Sequence, residues 1–145
     1  MATITSAQIL TAWKERLVAL QPLTRSGADD RYQVQVGVRH TYMGSRAVLL
    51  TCNPGRRVQG GRSCSDWEFQ ALVEVWYLDA PGGDAYLRAC EDAEQIADDL
   101  YAWLASNDGE NLGLLRVELE LANIVGTEQE LQVSRPVRFL YRGLE

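Results

Sequence analysis

At 145 residues, with 46% hydrophobic and 23% charged side chains, the chain has the make-up of one globular domain, residues 1–145, that buries a core without metal or disulfide support. No apolar run approaches the roughly 18 residues of a membrane span, and "MATITSAQIL" lacks the basic-then-apolar pattern of a secretory signal, so a cytoplasmic protein is expected. A formal charge of −6, with acids concentrated between Asp79 and Glu130, disfavours direct nucleic-acid recognition, which draws its affinity from Lys and Arg on phosphates.

The first predicted element is a helix: Ser6 is its expected N-cap, and Ile9, Leu10, Trp13, Leu17 and Leu20 recur at helical spacing until Pro22. Residues 23–45 contain one alternating run, Tyr32, Val34, Val36 and Val38, which predicts a short strand. "SRAVLLTC" predicts a second strand, and "NPGRRVQGGRSCS" after it, full of turn formers and arginine, an exposed loop or loose hairpin. From Trp67 to Leu78 the alternation is strong. Phe69, Ala71, Val73, Val75 and Tyr77 share one face; Leu72, Trp76 and Leu78 share the other with Gln70 and Glu74. Both faces are largely apolar, which predicts a central strand covered on at least part of each side.

The corner "DAPGGD" leads into the next helix. Its Gly-Gly turn resembles a phosphate-cradling loop, but it has carboxylates on both sides and no lysine, so it reads as structural, with Asp84 capping the helix. Tyr86, Cys90, Ala93, Ala97, Leu100 and Leu104 form a stripe that Ile96 and Trp103 widen, while Glu91, Asp92, Glu94, Asp98 and Asp99 take the remaining circumference. "SNDGEN" ends that helix. Leu115, Val117, Leu119 and Leu121 then alternate with Arg116, Glu118 and Glu120, and Val137, Phe139 and Tyr141 alternate with Arg138 and Arg142. These predict an antiparallel pair with opposite charges on its outer faces. The order predicts an α+β layer: a mostly antiparallel sheet with an N-terminal helix and a long central helix packed on it.

Chemistry-bearing motifs are sparse. Cys52, Cys64 and Cys90 show no CxxC spacing, so neither a disulfide framework nor a metal site is indicated. His40 is the single histidine. With Cys52 or Cys64 it would make a nucleophilic pair, but no local signature surrounds any of these residues. Of the 14 basic residues only Lys14 is lysine, and Arg56, Arg57 and Arg62 crowd one Gly-Pro-rich stretch bordered by Trp67. Arginines in such a setting suit planar, multi-donor contacts with a partner, as against an ordinary solvated loop. The acidic helix face, with Glu91 and Asp98, reads either as solvated surface or as the counterpart of arginines on another subunit. The candidate partner-binding residues are therefore Arg56, Arg57, Arg62, Trp67, Glu91 and Asp98; no residue is assigned to catalysis, a cofactor or a metal.

The run "FQALVEVWYLDAPGGDAYLRACEDAEQIADDLYAWLA", the hairpin "LRVELELANIVG" and the closing "SRPVRFLYRGLE" together resemble the tail-terminator (tail-completion) proteins of long-tailed bacteriophages. The resemblance covers about residues 67–145, with the helix at 6–20 also in its expected place; residues 23–66 match no part of the pattern. It implies a structural α+β subunit that forms a six-membered ring on the tail tube, stops tube polymerisation and offers its other face to the head-tail connector. It implies no enzyme activity and no cofactor, and a place in the virion tail reached from the host cytoplasm. The alternatives are a head-tail connector or neck protein of related fold, a small Cys-His hydrolase, and a module that presents a sheet edge to a peptide.

Overall fold

A computed structural model describes residues 4–23, 31–37, 46–58, 66–78, 83–126 and 130–144. Helix α1, Ser6–Ala19, starts one residue earlier than the Ser6 cap expected from the sequence, because Thr5 has Gln8 three residues on to complete a capping box and Ser6 has Ile9 there, which cannot accept a hydrogen bond. The Gln8 N–H donates to Thr5 Oγ1 at 3.3 Å, and the Thr5 N–H donates to Gln8 Oε1 at 2.9 Å. Ile9, Leu10, Trp13 and Leu17 are buried, as their spacing predicts, and Leu20 is the extended C-cap.

Strands β1 (Gln33–Val36), β2 (Ala47–Cys52), β3 (Arg56–Arg57) and β4 (Asp66–Leu78) precede helix α2 (Gly83–Ala105). A short helix α3 (Asn107–Leu112) follows, then β5 (Leu114–Leu119), β6 (Asn123–Gly126) and β7 (Glu130–Arg142). All seven strands join one sheet in the order β1-β2-β4-β7-β5, with β3 on β4 and β6 on β7. The fold is α+β, and the sheet is antiparallel except for the parallel β1–β2 pair. Its spine is the pairing of β4 with β7 from Asp66↔Arg142 to Leu78↔Glu130, roughly 43 Å at about 3.3 Å per residue. β2 and β3 lie end to end along one edge of β4, and β5 and β6 end to end along the far edge of β7.

Pairing of odd with odd residues in β4 and β7 separates two faces. On the inner face Phe69 stacks on Phe139 at 4.9 Å between ring centroids, and Trp13 of α1 meets Phe139 edge-on at 5.4 Å. Ala71, Val73, Val75, Tyr77, Val133 and Val137 are buried there with Ile96, Leu100 and Trp103 of α2. The outer face of β4 is covered in part, as its apolar residues predict. Glu68, Leu72, Glu74 and Trp76 are half-buried and Gln70 is exposed; among the described outer-face residues only Ala47 and Leu49 of β2 are buried.

Four further expectations need correction. The buried stripe of α2 is Ala85, Ala89, Asp92, Ile96, Leu100 and Trp103, rotated from the predicted one. Tyr86 is 49% exposed, whereas Ala97 is buried and Cys90, Ala93 and Leu104 flank the stripe. Asp84 lies inside the first turn of α2, where its carboxylate still complements the positive end of the helix dipole. After α2, "SNDGEN" makes α3, with Ser106 accepting the Gly109 N–H and Gly113 closing it at φ 104, a left-handed value that favours glycine. A bulge between Leu114 and Arg116 then turns Leu114 and Val117 inward in place of an unbroken Leu115-to-Leu121 alternation, and Leu121, beyond the strand, is 94% exposed.

Candidate functional site

The most concentrated polar chemistry is buried. Asp92, fully enclosed on α2, accepts through Oδ1 from the Tyr32 hydroxyl at 2.8 Å and through Oδ2 from Arg46 Nε at 3.0 Å and from the Tyr77 hydroxyl. Arg46 is 3% exposed, sits at φ 60, and its guanidinium lies 5.9 Å from the Tyr32 ring centroid. Four segments meet here: the residues entering β1 and β2, the end of β4 and the middle of α2. Burial, and then the Asp92 carboxylate, push the Tyr77 phenol far above its ordinary range. The carboxylate is fully engaged by donors, so the arrangement clamps α2 to the sheet. Asp92 thus does not belong to the polar circumference of the helix, because two hydroxyls and a guanidinium replace its water.

A second constellation lies at the end of the sheet where β3 joins β4. Arg56 and Arg57, expected in an exposed loop or loose hairpin, form a strand paired with Glu68 and Trp67, so their backbone is held by the ladder. Arg56 donates from Nε at 2.9 Å and from Nη2 at 2.6 Å to Glu68 Oε1, with its side chain 81% exposed. The Arg57 guanidinium stands 5.7 Å from the centroid of the Trp67 ring. Trp67 Nε1 donates to the Leu144 carbonyl at 2.7 Å, and the ring packs so closely on Gly143 that any Cβ there would collide with it. Arg62, Cys64 and His40 fall outside the described residues.

The outer face around these residues is open. A cleft of about 320 Å³ is lined by Asn53, Pro54, Arg56, Glu68, Gln70 and Arg138. It continues into one of about 300 Å³ floored by Leu72 and Pro136. The predicted charge pairing across β5 and β7 is present on this face: Arg138 is 3.5 Å from Glu118, its register partner, and Arg116 also donates to Glu118. Burial pushes the Cys52 thiol beside the cleft upward, which keeps it protonated and a weak nucleophile at neutral pH. Beneath α2 a partly open space of about 10 Å³, lined by Trp13, Ile96, Leu100 and Arg135, has room for nothing larger than a water.

Glu91 and Asp98 are exposed on α2, on the opposite side of the sheet from Arg56 and Arg138, and Trp67, in register with Tyr141, lies on the inner face with Arg57 beside it, so the predicted partner residues do not form one surface. Asp99 faces α1 instead, accepting from Arg16 at 3.2 and 2.8 Å. Among the described residues no group of His, Cys, Asp and Glu has the makings of a metal site, and no helix is long and apolar enough to cross a membrane. No protein-family model matches the chain, and no curated protein matches it.

Proposed function

We propose that this chain is a structural protein of a bacteriophage tail: a terminator subunit that assembles as a ring, closes the tail tube, ends its polymerisation and presents a surface to the head-tail connector. One observation carries the reading. An acidic surface, the carboxylates of α2, and a mixed surface, the open sheet face on which exposed arginines stand beside Glu68, Glu74 and Glu118, lie on opposite sides of a thin layer. Two unlike surfaces on opposite sides of a subunit suit head-to-tail contacts repeated around a ring, in which one surface of each copy meets the other surface of the next. The order of long strand, acidic helix, hairpin and long closing strand supports the same reading.

In this function Asp92 and its partners act by holding the helix at a fixed height over the sheet, so that the spacing of the two surfaces is the same in every subunit. The test is electron microscopy of the purified protein mixed with tail tubes. Rings seated on tube ends are the expected result; tubes with bare ends at saturating protein would overturn the proposal.

A further inference from the structure

Leu87, Glu91, Glu94, Asp98 and Tyr101 recur on α2 at alternating spacings of four and three, and all five are exposed, Leu87 by 64% and Tyr101 by 52%. At about 100° per residue this row points about 180° from the buried row centred on Asp92 and Ile96. A solvated helix face has no need of a leucine and a tyrosine at its two ends. Large apolar anchors bracketing charge are the make-up of an interface.

The open face of the sheet is the matching surface. It offers half-buried Leu72, Trp76, Pro136 and Leu140 as an apolar floor, with Arg56, Arg116 and Arg138 around it among the less exposed carboxylates of Glu68, Glu74 and Glu118. The side chains of these arginines are 81%, 65% and 46% exposed. Their pairings with Glu68 and Glu118 are exposed ion pairs of small worth, and a guanidinium has five donors, so each can take a further carboxylate. Lengths agree as well: Leu87 to Tyr101 spans roughly 21 Å of helix, and Glu68 to Trp76 roughly 26 Å of strand.

We infer that the Leu87–Tyr101 stripe of one subunit docks on the open sheet face of a second copy. Leu87 and Tyr101 settle on the Leu72–Pro136 cleft and its apolar surroundings, while Glu91, Glu94 and Asp98 face the arginines. The inference rests on the self-assembly proposed above and names its two surfaces. Because they lie on opposite sides of the subunit, each contact leaves one of each kind free for the next copy.

Two double variants test it by sedimentation velocity. L87E/Y101E spoils the helix stripe, and R56E/R138E spoils the sheet face; each is expected to weaken self-association by about 100-fold or more. A 1:1 mixture is expected to form heterodimers and nothing larger, because only one intact stripe and one intact sheet face remain to pair. Thermal melts matching wild type establish that both variants are folded. Should either double variant melt early, the single change Asp98→Arg or Arg138→Glu replaces it. Variants that assemble as wild type does, or a mixture that stays monomeric, would overturn these surfaces while leaving the ring intact. A wild-type protein that is monomeric at every concentration, with and without tail tubes, would overturn the ring reading itself.

Discussion

Two arginine–carboxylate pairs, Arg46–Asp92 and Arg56–Glu68, each join an arginine Nε to a carboxylate oxygen, at 3.0 and 2.9 Å, in opposite surroundings. In the first, both side chains are at most 3% exposed; in the second, the arginine is 81% exposed. The buried pair has no water to replace a lost partner, so its ions are committed to each other and to two tyrosine hydroxyls. The exposed pair is screened, exchanges readily with water and remains open to other carboxylates. One kind of contact therefore builds the subunit, and the other leaves its arginine open to further carboxylates. Position in the fold, not residue type, assigns the role.

The sharpest way to break this comparison is Asp92→Ala, which strands a buried guanidinium. It is expected to cost about 3–5 kcal/mol in denaturant melts, and that loss should persist in high salt. Leu100→Ala on the same buried stripe supplies the apolar benchmark, at about 2–5 kcal/mol. If the Asp92 variant lost less than about 1 kcal/mol, the clamp would be solvated and the contrast would collapse.

Tyr77 extends the comparison to pH. Folding raises its pKa above the ordinary value of 10.0, so the folded protein keeps a proton that the unfolded phenol gives up. Its contribution is fully present below about pH 10 and is lost as the pH rises through and beyond it. Urea midpoints measured from pH 8 to pH 11.5 are expected to fall at the alkaline end. Tyr77→Phe should flatten that fall, leaving the share due to Tyr141 and Cys52, both of which burial also pushes up. An unchanged slope in the phenylalanine variant would mean that the Tyr77 proton is not held by the fold.

The smallest effect belongs to the exposed pair. Arg56→Ala is expected to change the stability of the isolated subunit by no more than about 1 kcal/mol, a difference that vanishes in concentrated salt. A loss of several kcal/mol would place Arg56 among the structural arginines.

These two regions also differ in how far they could be read from the residues. The strands carrying Phe69 to Tyr77 and Val137 to Tyr141, and the stripe of α1, were legible because a period of two or 3.6 is written in apolar residues. Arg56, Arg57 and Trp67 were legible as neighbours, and Glu91 and Asp98 as exposed. Asp92 was not, since a carboxylate within a helical stripe scores as surface until its partners are known, and Arg46, Tyr32 and Tyr77 come from three distant segments. The β5 bulge was hidden for a related reason: one extra residue, Leu115, is itself apolar and keeps the alternation looking regular. The short elements β3, β6 and α3, and the parallel pairing of β1 with β2, depend on long-range partners that local pattern does not record. Arg62 lies outside the described residues, so its part in the partner surface is untouched by this comparison.

The central claim, that the protein ends tube growth by capping, is tested most directly by following polymerisation of the tail tube protein with light scattering while this protein is added during elongation. The account predicts that growth stops once enough subunits are present for one ring per growing end, far below one per tube subunit, and that R56E/R138E fails to stop it. Elongation that continues at an unchanged rate with the wild-type protein in excess would contradict the claim.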